Sequence, residues 1–265
     1  MNSEILKPVV RWAGSKQRLV PTLVSMAPVK FNRYYEPFAG SAALFFALRP
    51  KRATLSDLNP DLINFYRQLK RDYKALHAFV SRLEVTEKNY VCIRSLLNIE
   101  SDPFRRACYF WFINRTCFNG LYRTNKLGEF NVPFGKKLPM FPTIEHVGRC
   151  VARLRRARIG VMDYAKSIEI AQKGDFIYID PPYGRGSIRD RGEYGIGAMQ
   201  DDDLPRLISV MEKASNRGVK ILFSYNMDVE SMLPNWRHEV VNGRYLISAD
   251  PNKRTLISEF TSRNY

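Results

Sequence analysis

The stretch YYEPFAGSAALFFAL, residues 34–48, decides how the rest of the chain reads. Tyr34 to Phe38 has the short, largely apolar character of a buried strand, Ala39-Gly40-Ser41 is a tight turn, and Ala42 to Leu48 are strong helix formers. A glycine in such a turn admits a ligand close to the backbone. The unit then repeats: Ala53 to Leu55 forms a second strand that ends at Asp57, and Asn59-Pro60-Asp61 caps a helix through Leu62, Phe65, Tyr66 and Leu69. Strand, helix, strand, helix is the opening of a parallel sheet. Much later DFIYI (175–179) is a continuous apolar strand, Asp203 to Ser215 an amphipathic helix, and VKILFS (219–224) another buried strand. The expected fold class is α/β, a sheet with helices on both faces.

A long interruption separates the two halves. Its first part is helical and aromatic, as in RRACYFWFINR (105–115), and its second is hairpin-like around Leu121 to Pro133, with Gly128 near the turn. The expected organisation is therefore a discontinuous domain, 1–61 and 143–265, carrying an insertion at 62–142. Near the C-terminus, Tyr245 to Ser248 and Thr255 to Phe260 read as a final β-hairpin, with Lys253 and Arg254 near its tip.

The 265 residues are 45% hydrophobic, enough for a real core, yet the formal net charge is +16. Such self-repulsion calls for a polyanion, and charge alone does not choose between nucleic acid and an anionic membrane. Between Arg94 and Gly160 there are 13 Lys or Arg against 4 Asp or Glu, so over half of the excess lies in the insertion and its exit, the expected polyanion-facing surface. No apolar run approaches the roughly 20 residues that span a bilayer, and the start lacks a signal-peptide pattern, so a cytoplasmic protein without membrane attachment is expected. The four cysteines, Cys92, Cys108, Cys117 and Cys150, lack the paired short spacings of a zinc site and are expected to be reduced core thiols, with no metal bound.

Asp180-Pro181-Pro182-Tyr183 follows directly on DFIYI, so it emerges where open α/β sheets bind ligands. Prolines lack N–H groups and leave carbonyl oxygens available beside one carboxylate and one aromatic face. That set suits a planar amine: Asp180 and the Pro181 carbonyl can accept its two N–H bonds while Tyr183 stacks on the ring. Alone, the tetrapeptide could equally be a strand-to-loop stop. Upstream, Glu36, Phe38 and Gly40 sit at the end of the first strand and Asp57 at the end of the second, where an acid can hold ribose hydroxyls. The chain contains neither G-x-G-x-x-G nor a Walker lysine, so a pyrophosphate cofactor is poorly supported.

RWAGSK (11–16), EPFAGSAAL (36–44), SDLN (56–59) and DPPY (180–183) together resemble the Dam-type DNA adenine methyltransferases, and NRTCFNGLYRTNKLGEFNVPFGK (114–136) is similar to that family's DNA-recognition hairpin. The resemblance covers nearly the whole chain. It implies a Rossmann-like sheet that binds S-adenosyl-L-methionine, with an inserted helical and β-hairpin recognition domain. It assigns Trp12, Lys16, Glu36, Phe38, Gly40, Asp57 and Asp180 to the cofactor, and Asp180, Pro181, Pro182 and Tyr183 to catalysis. It places Phe118 and Asn119 at the opened DNA stack and Leu121, Arg123 and Pro133 at bases, with Arg11, Arg115, Asn125 and Lys136 completing the DNA contacts. Arginine can take a guanine edge bidentately, and Leu121 with Pro133 can pack on a thymine methyl.

The implied reaction is methylation of adenine N6, flipped out of double-stranded DNA, within GATC or a related short site, by an enzyme expected to be monomeric. Arg11 stands where GATC-specific members commonly carry lysine and Phe118 where many carry tyrosine, which leaves a degenerate site open. The basic, glycine-rich segment 184–197, with Arg185, Arg189 and Arg191, reads either as a loop that closes over the flipped base or its phosphates or as a plain disordered surface loop. A methyltransferase for another planar amine (cytosine N4, RNA adenine, a protein glutamine) and an inactive DNA-binding module are the competing readings. The sequence leaves open whether a companion nuclease accompanies the enzyme in a restriction-modification pair.

Overall fold

The computed structural model describes residues 5–136, 140–182, 203–244 and 256–265. Its sheet is built from β1 (Tyr34–Glu36), β2 (Ala53–Asp57), β3 (Ala157–Val161), β4 (Phe176–Ile179), β5 (Lys220–Tyr225), β6 (Arg237–Arg244) and β7 (Leu256–Arg263), in the spatial order β3-β2-β1-β4-β5-β7-β6. The first five strands are parallel; β7 enters antiparallel between β5 and β6. The chain leaves β1 toward β2 and β3 on one side and fills β4 and β5 on the other, so the order reverses between β1 and β4.

Helices α1 (Val20–Met26), α2 (Ala43–Leu48), α3 (Pro60–Ser81), α4 (Glu87–Ile99), α5 (Pro103–Thr116), α6 (Ile144–Leu154), α7 (Tyr164–Glu169) and α8 (Asp203–Asn216) fall on the two faces. Side chains alternate across a strand, and the alternation sorts the core. Tyr34, Phe176, Tyr178 and Leu222 point into a large cluster with α1 to α6. Their neighbours Tyr35, Ile177, Ile179, Ile221 and Phe223 point into a second cluster with α7 and α8. These strands are buried on both sides, which is why they read as unbroken apolar runs.

The expected strands at 34–38, 53–55, 175–179 and 219–224 all form, within one to two residues at most ends, and the expected helix at 203–215 is α8. Asn59 caps α3, accepting the Leu62 amide at 3.0 Å. Within α3 the backbone breaks at Asp72 (φ −149°, ψ 81°), whose carboxylate accepts the Ala75 amide at 3.0 Å and starts the helix again. The aromatic run of α5 is buried, and Trp111 donates through Nε1 to the Val9 carbonyl at 3.1 Å. Phe110, Trp111, Phe130 and Val132 belong to the same cluster as Tyr34 and Phe176, so the helices after β2 and the hairpin share a core with the sheet.

Two expectations change. Cys108, Cys117 and Cys150 are buried, but Cys92 is exposed, because it lies on the outward side of α4, whose buried face is Tyr90, Ile93 and Leu97. The C-terminal hairpin exists as β6 and β7, but its first strand already runs over Arg237–Arg244, and Tyr245 to Ser248, Lys253 and Arg254 lie outside the described residues. The polar sequence RHEVVNGR hid this edge strand: Val240 is 54% exposed, so the alternation there has little apolar signal.

Candidate active site

The carboxyl ends of β1, β2 and β4 open into one pocket at the point where strand order reverses, the usual ligand site of a doubly wound sheet. Of the residues expected to hold a cofactor or catalyse, Trp12, Lys16, Glu36, Phe38, Gly40, Asp57, Asp180, Pro181 and Pro182 all line it. Tyr183 and the basic segment 184–197 lie outside the described residues.

The glycine turn is fixed from three sides. The Gly40 amide donates to Asp57 Oδ2 at 3.0 Å, and the Tyr66 hydroxyl donates to the Gly40 carbonyl at 2.9 Å. Gly40 has φ +44°, and a Cβ there would stand 2.7 Å from Cδ1 of Trp12, so only glycine lets the indole close over the turn. Asp57 also accepts the Asn59 amide at 2.9 Å through Oδ1, yet a carboxylate has about four acceptor positions, which leaves capacity for a hydroxyl. The RWAGSK loop is tied to the same turn by Ser15 and Ser41, whose hydroxyls are 2.8 Å apart.

Charge is concentrated at the bottom of the pocket. The buried Lys16 ammonium lies 2.6 Å from Asp180 Oδ1 and 3.2 Å from Glu259 Oε1 on β7. Burial raises the Asp180 carboxyl above its ordinary range, and Lys16 opposes that shift by favouring the carboxylate. Glu36 is buried and accepts the Tyr34 hydroxyl at 2.8 Å; desolvation pushes its carboxyl up to about 8. Aromatic rings form two walls. Phe38 stacks on Tyr164 with centroids 5.4 Å apart, and Trp12 stacks on Tyr122 at 5.8 Å. Close-approach backbone, a hydroxyl-binding acid and aromatic walls are what a nucleoside-bearing cofactor requires, and the residues present fit S-adenosylmethionine.

Tyr122 belongs to the hairpin. This segment is a loose pairing, with bridges Cys117–Phe134 and Thr124–Phe130, rather than a continuous ladder. Gly128 (φ +80°) makes its turn, which Asn125 closes by accepting the Leu127 and Glu129 amides at 3.0 Å. Phe118, Asn119, Asn125, Pro133 and Lys136 are exposed, whereas Leu121 and Arg123 are half-buried. Arg123 Nε donates to Asn131 Oδ1 at 2.8 Å. Phe118 and Pro133 are adjacent, joined by a 2.9 Å backbone bond, and Asn119 adopts the left-handed conformation (φ +54°) that asparagine tolerates. Arg11 docks under Gly120, its backbone paired with the Asn114 side chain. Arg115 donates to the Met140 carbonyl, and burial together with Arg11 lowers its guanidinium to about 10.

Sequence reasoning missed Tyr122, Tyr164, Tyr178 and Glu259, all at the pocket or its charged floor. Tyr122 stood inside the recognised hairpin between Leu121 and Arg123, but its stack on Trp12 has no local signature. Its hydroxyl donates to Asp61 at 2.8 Å, and Arg106 holds that same carboxylate through two bonds of 2.5 and 3.1 Å. The hairpin is thereby tied to the pocket and to the start of α3.

Fold and site define a doubly wound α/β protein whose pocket at the switch point fits a nucleoside-type cofactor and carries an acid followed by two prolines. The sequence profile of D12 class N6 adenine-specific DNA methyltransferases matches residues 12–248, and the chain belongs to that family. It is 30% identical over 272 residues to the Type II methyltransferase M1.LlaDCHI of Lactococcus lactis subsp. cremoris, covering 98% of this chain and 96% of the relative. It is 36% identical to a DNA adenine methylase of Vibrio cholerae over 81% of this chain and 79% of that protein, and 31% identical to the DNA adenine methylase of Escherichia coli K12 over 94% and 92%. The enzyme is an S-adenosylmethionine-dependent, adenine-specific DNA methyltransferase.

Proposed function

We propose that the enzyme methylates an adenine flipped out of duplex DNA within GATC or a closely related short site, with residues 1–61 and 143–265 catalytic and 62–142 recognising DNA. S-adenosylmethionine, when bound, supplies a methyl group activated by its sulfonium. Asp57, Gly40, Trp12 and Lys16 hold the cofactor, assisted by Glu36 and Phe38. Asp180 and the Pro181 carbonyl accept the two N–H bonds of the adenine amine and orient its lone pair, while Tyr183 stacks on the base. The observation that carries this reading is the position of Asp180, at the end of β4 on the wall of the same pocket as Asp57 and Gly40.

Phe118 and Asn119, exposed at the hairpin base, support the opened stack, and Leu121, Arg123 and Pro133 read flanking bases with Arg11 beneath them. Arg115, Asn125 and Lys136 steady the hairpin and the phosphate backbone. Mapping methylated adenines on DNA treated with purified enzyme tests the proposal. Modification confined to one short sequence supports it, and modified adenines without a shared flank overturn the site assignment. Label transferred to RNA or protein but not to duplex DNA overturns the substrate.

A further inference from the structure

The amino ends of the five parallel strands, on the side of the sheet away from the pocket, carry a continuous row of cations. The five loops at 27–33, 49–52, 155–156, 170–175 and 217–219 hold nine Lys or Arg and one carboxylate, Asp175. Adjacent loops are bonded in sequence: the Ala53 amide to the Arg156 carbonyl (3.2 Å), Tyr34 to Arg52 (3.0 Å), Phe176 to Arg33 (2.9 Å) and Gly174 to Gly218 (3.0 Å). Lys30, Lys51, Arg52, Arg155, Arg156, Lys173 and Arg217 are exposed. Asp175 is buried and taken up by the Arg33 and Gln172 amides at 3.0 and 2.9 Å.

A structural role accounts for part of this charge. Helices α1, α2, α6, α7 and α8 end on this side, and each carboxyl end offers about half a negative charge, roughly two and a half charges in all. Arg217 serves that purpose, donating to the Lys213, Ile168 and Glu169 carbonyls. Most of the row is left over. Four strand spacings of about 4.8 Å make it roughly 19 Å long, which matches the phosphates along about five or six base pairs of a duplex. A duplex engaged at the pocket end cannot also reach this side, because DNA is stiff over about 150 base pairs.

We infer that this row is a second duplex-binding face, which holds the phosphate backbone of a separate DNA segment while the pocket face is occupied. The inference rests on the DNA-modifying reading of the pocket face, and it gives the enzyme a route for direct transfer between segments.

The test uses the full chain. A short duplex with one target site is immobilised and loaded with enzyme, and capture of a second, fluorescent duplex is measured, with sedimentation reporting the number of protein copies. Wild-type enzyme is expected to capture the second duplex at one copy per complex. Lys51→Gln/Arg52→Gln/Arg156→Gln is expected to keep first-duplex binding and methylation within about twofold, lose at least about tenfold in capture, and lower the salt slope of capture by roughly 0.9 per cation removed.

Undiminished capture by the triple variant overturns the inference, as does capture only by complexes with two protein copies, or no capture by an enzyme that methylates the first duplex. Preference of the face for RNA over duplex DNA overturns it too. Failure to methylate the first duplex sinks the pocket reading instead, and the two failures are distinguishable.

Discussion

Lys16 stands 2.6 Å from Asp180, and the pair is formed by residues 164 positions apart in the chain that meet at the switch point of the sheet. Burial favours the neutral form of Asp180 and Lys16 favours the carboxylate, the form that the proposed contact with the substrate amine requires. Replacing Lys16 by Met removes the opposing effect, so the Asp180 carboxyl rises further. The acidic limb of the pH profile for kcat/KM then moves to higher pH; a limb that stays in place refutes the assignment of that limb to Asp180. Asp180→Asn, which is isosteric but carries no charge, is expected to lower methyl transfer by about 10²-fold or more while retaining most duplex affinity, measured by single-turnover assay and anisotropy.

Glu36 gives the apo enzyme a pH-dependent stability. Its carboxyl ordinarily titrates near 4.5 and in the fold near 8, so the folded state binds the extra proton between these values. The contribution is complete below about 4.5 and is lost as pH rises through about 8, a loss on the order of 5 kcal/mol for a buried group shifted this far. Glu36→Gln is expected to flatten that decline in urea unfolding followed from pH 5 to 9. An unchanged decline would show that Glu36 is not its source.

Gly40→Ala brings a Cβ to 2.7 Å from Trp12 and forces alanine into a left-handed conformation. The backbone cost alone is about 1–2 kcal/mol. Cofactor affinity measured by calorimetry is expected to fall by at least about tenfold as the indole is displaced. Wild-type affinity in the alanine variant would mean that the turn and indole do not hold the cofactor together.

Tyr122→Phe keeps the stack on Trp12 and removes the bond to Asp61, leaving that carboxylate to Arg106 alone. Burial and Asp61 both raise the phenol, so in the wild type it stays a donor throughout the working pH range. A bond to a charged acceptor is worth about 1.5–3 kcal/mol, and its loss is expected to loosen the hairpin and weaken duplex binding while cofactor affinity without DNA is nearly retained. Tyr122→Ala should weaken both. Equal losses in the two variants would remove the distinction between stack and anchor.

Arg123→Lys tests base reading. If the planar fork addresses a guanine edge, the ammonium retains attraction to DNA but loses about 1–3 kcal/mol of discrimination at one base pair. Methylation of a library of sites differing at single positions measures this directly. A uniform loss across all positions would assign Arg123 to the phosphate backbone.

Much of the scaffold was legible because strands buried on both faces carry an unmistakable apolar run, as in DFIYI, and because Asn59-Pro60 is a strong helix start. The segment 144–170 was not. Strand β3 is an edge strand with Arg158 exposed and Gly160 within it, so its sequence lacks a strand's usual signal. The pocket acids were readable, since Asp57 and Asp180 each end a strand and strand ends of a parallel sheet face the ligand. Lys16 was found only through the resemblance, and Glu259 not at all, because a buried ion pair between distant segments leaves no local pattern.

Local sequence by itself determined the strands buried on both faces, β1, β2, β4 and β5, with the helices α2, α3 and α8, that Gly40, Asp57 and Asp180 stand at strand ends, and that the chain carries a large positive charge. Those properties follow from periodicity, backbone permissiveness and composition, all short-range or additive. Only the tertiary structure decided that Lys16 pairs with Asp180 and Glu259, that Tyr122 reaches from the hairpin to Trp12 and Asp61, and that a row of cations collects at the amino ends of the strands. Strand order sets which loops become neighbours, and no local pattern records it.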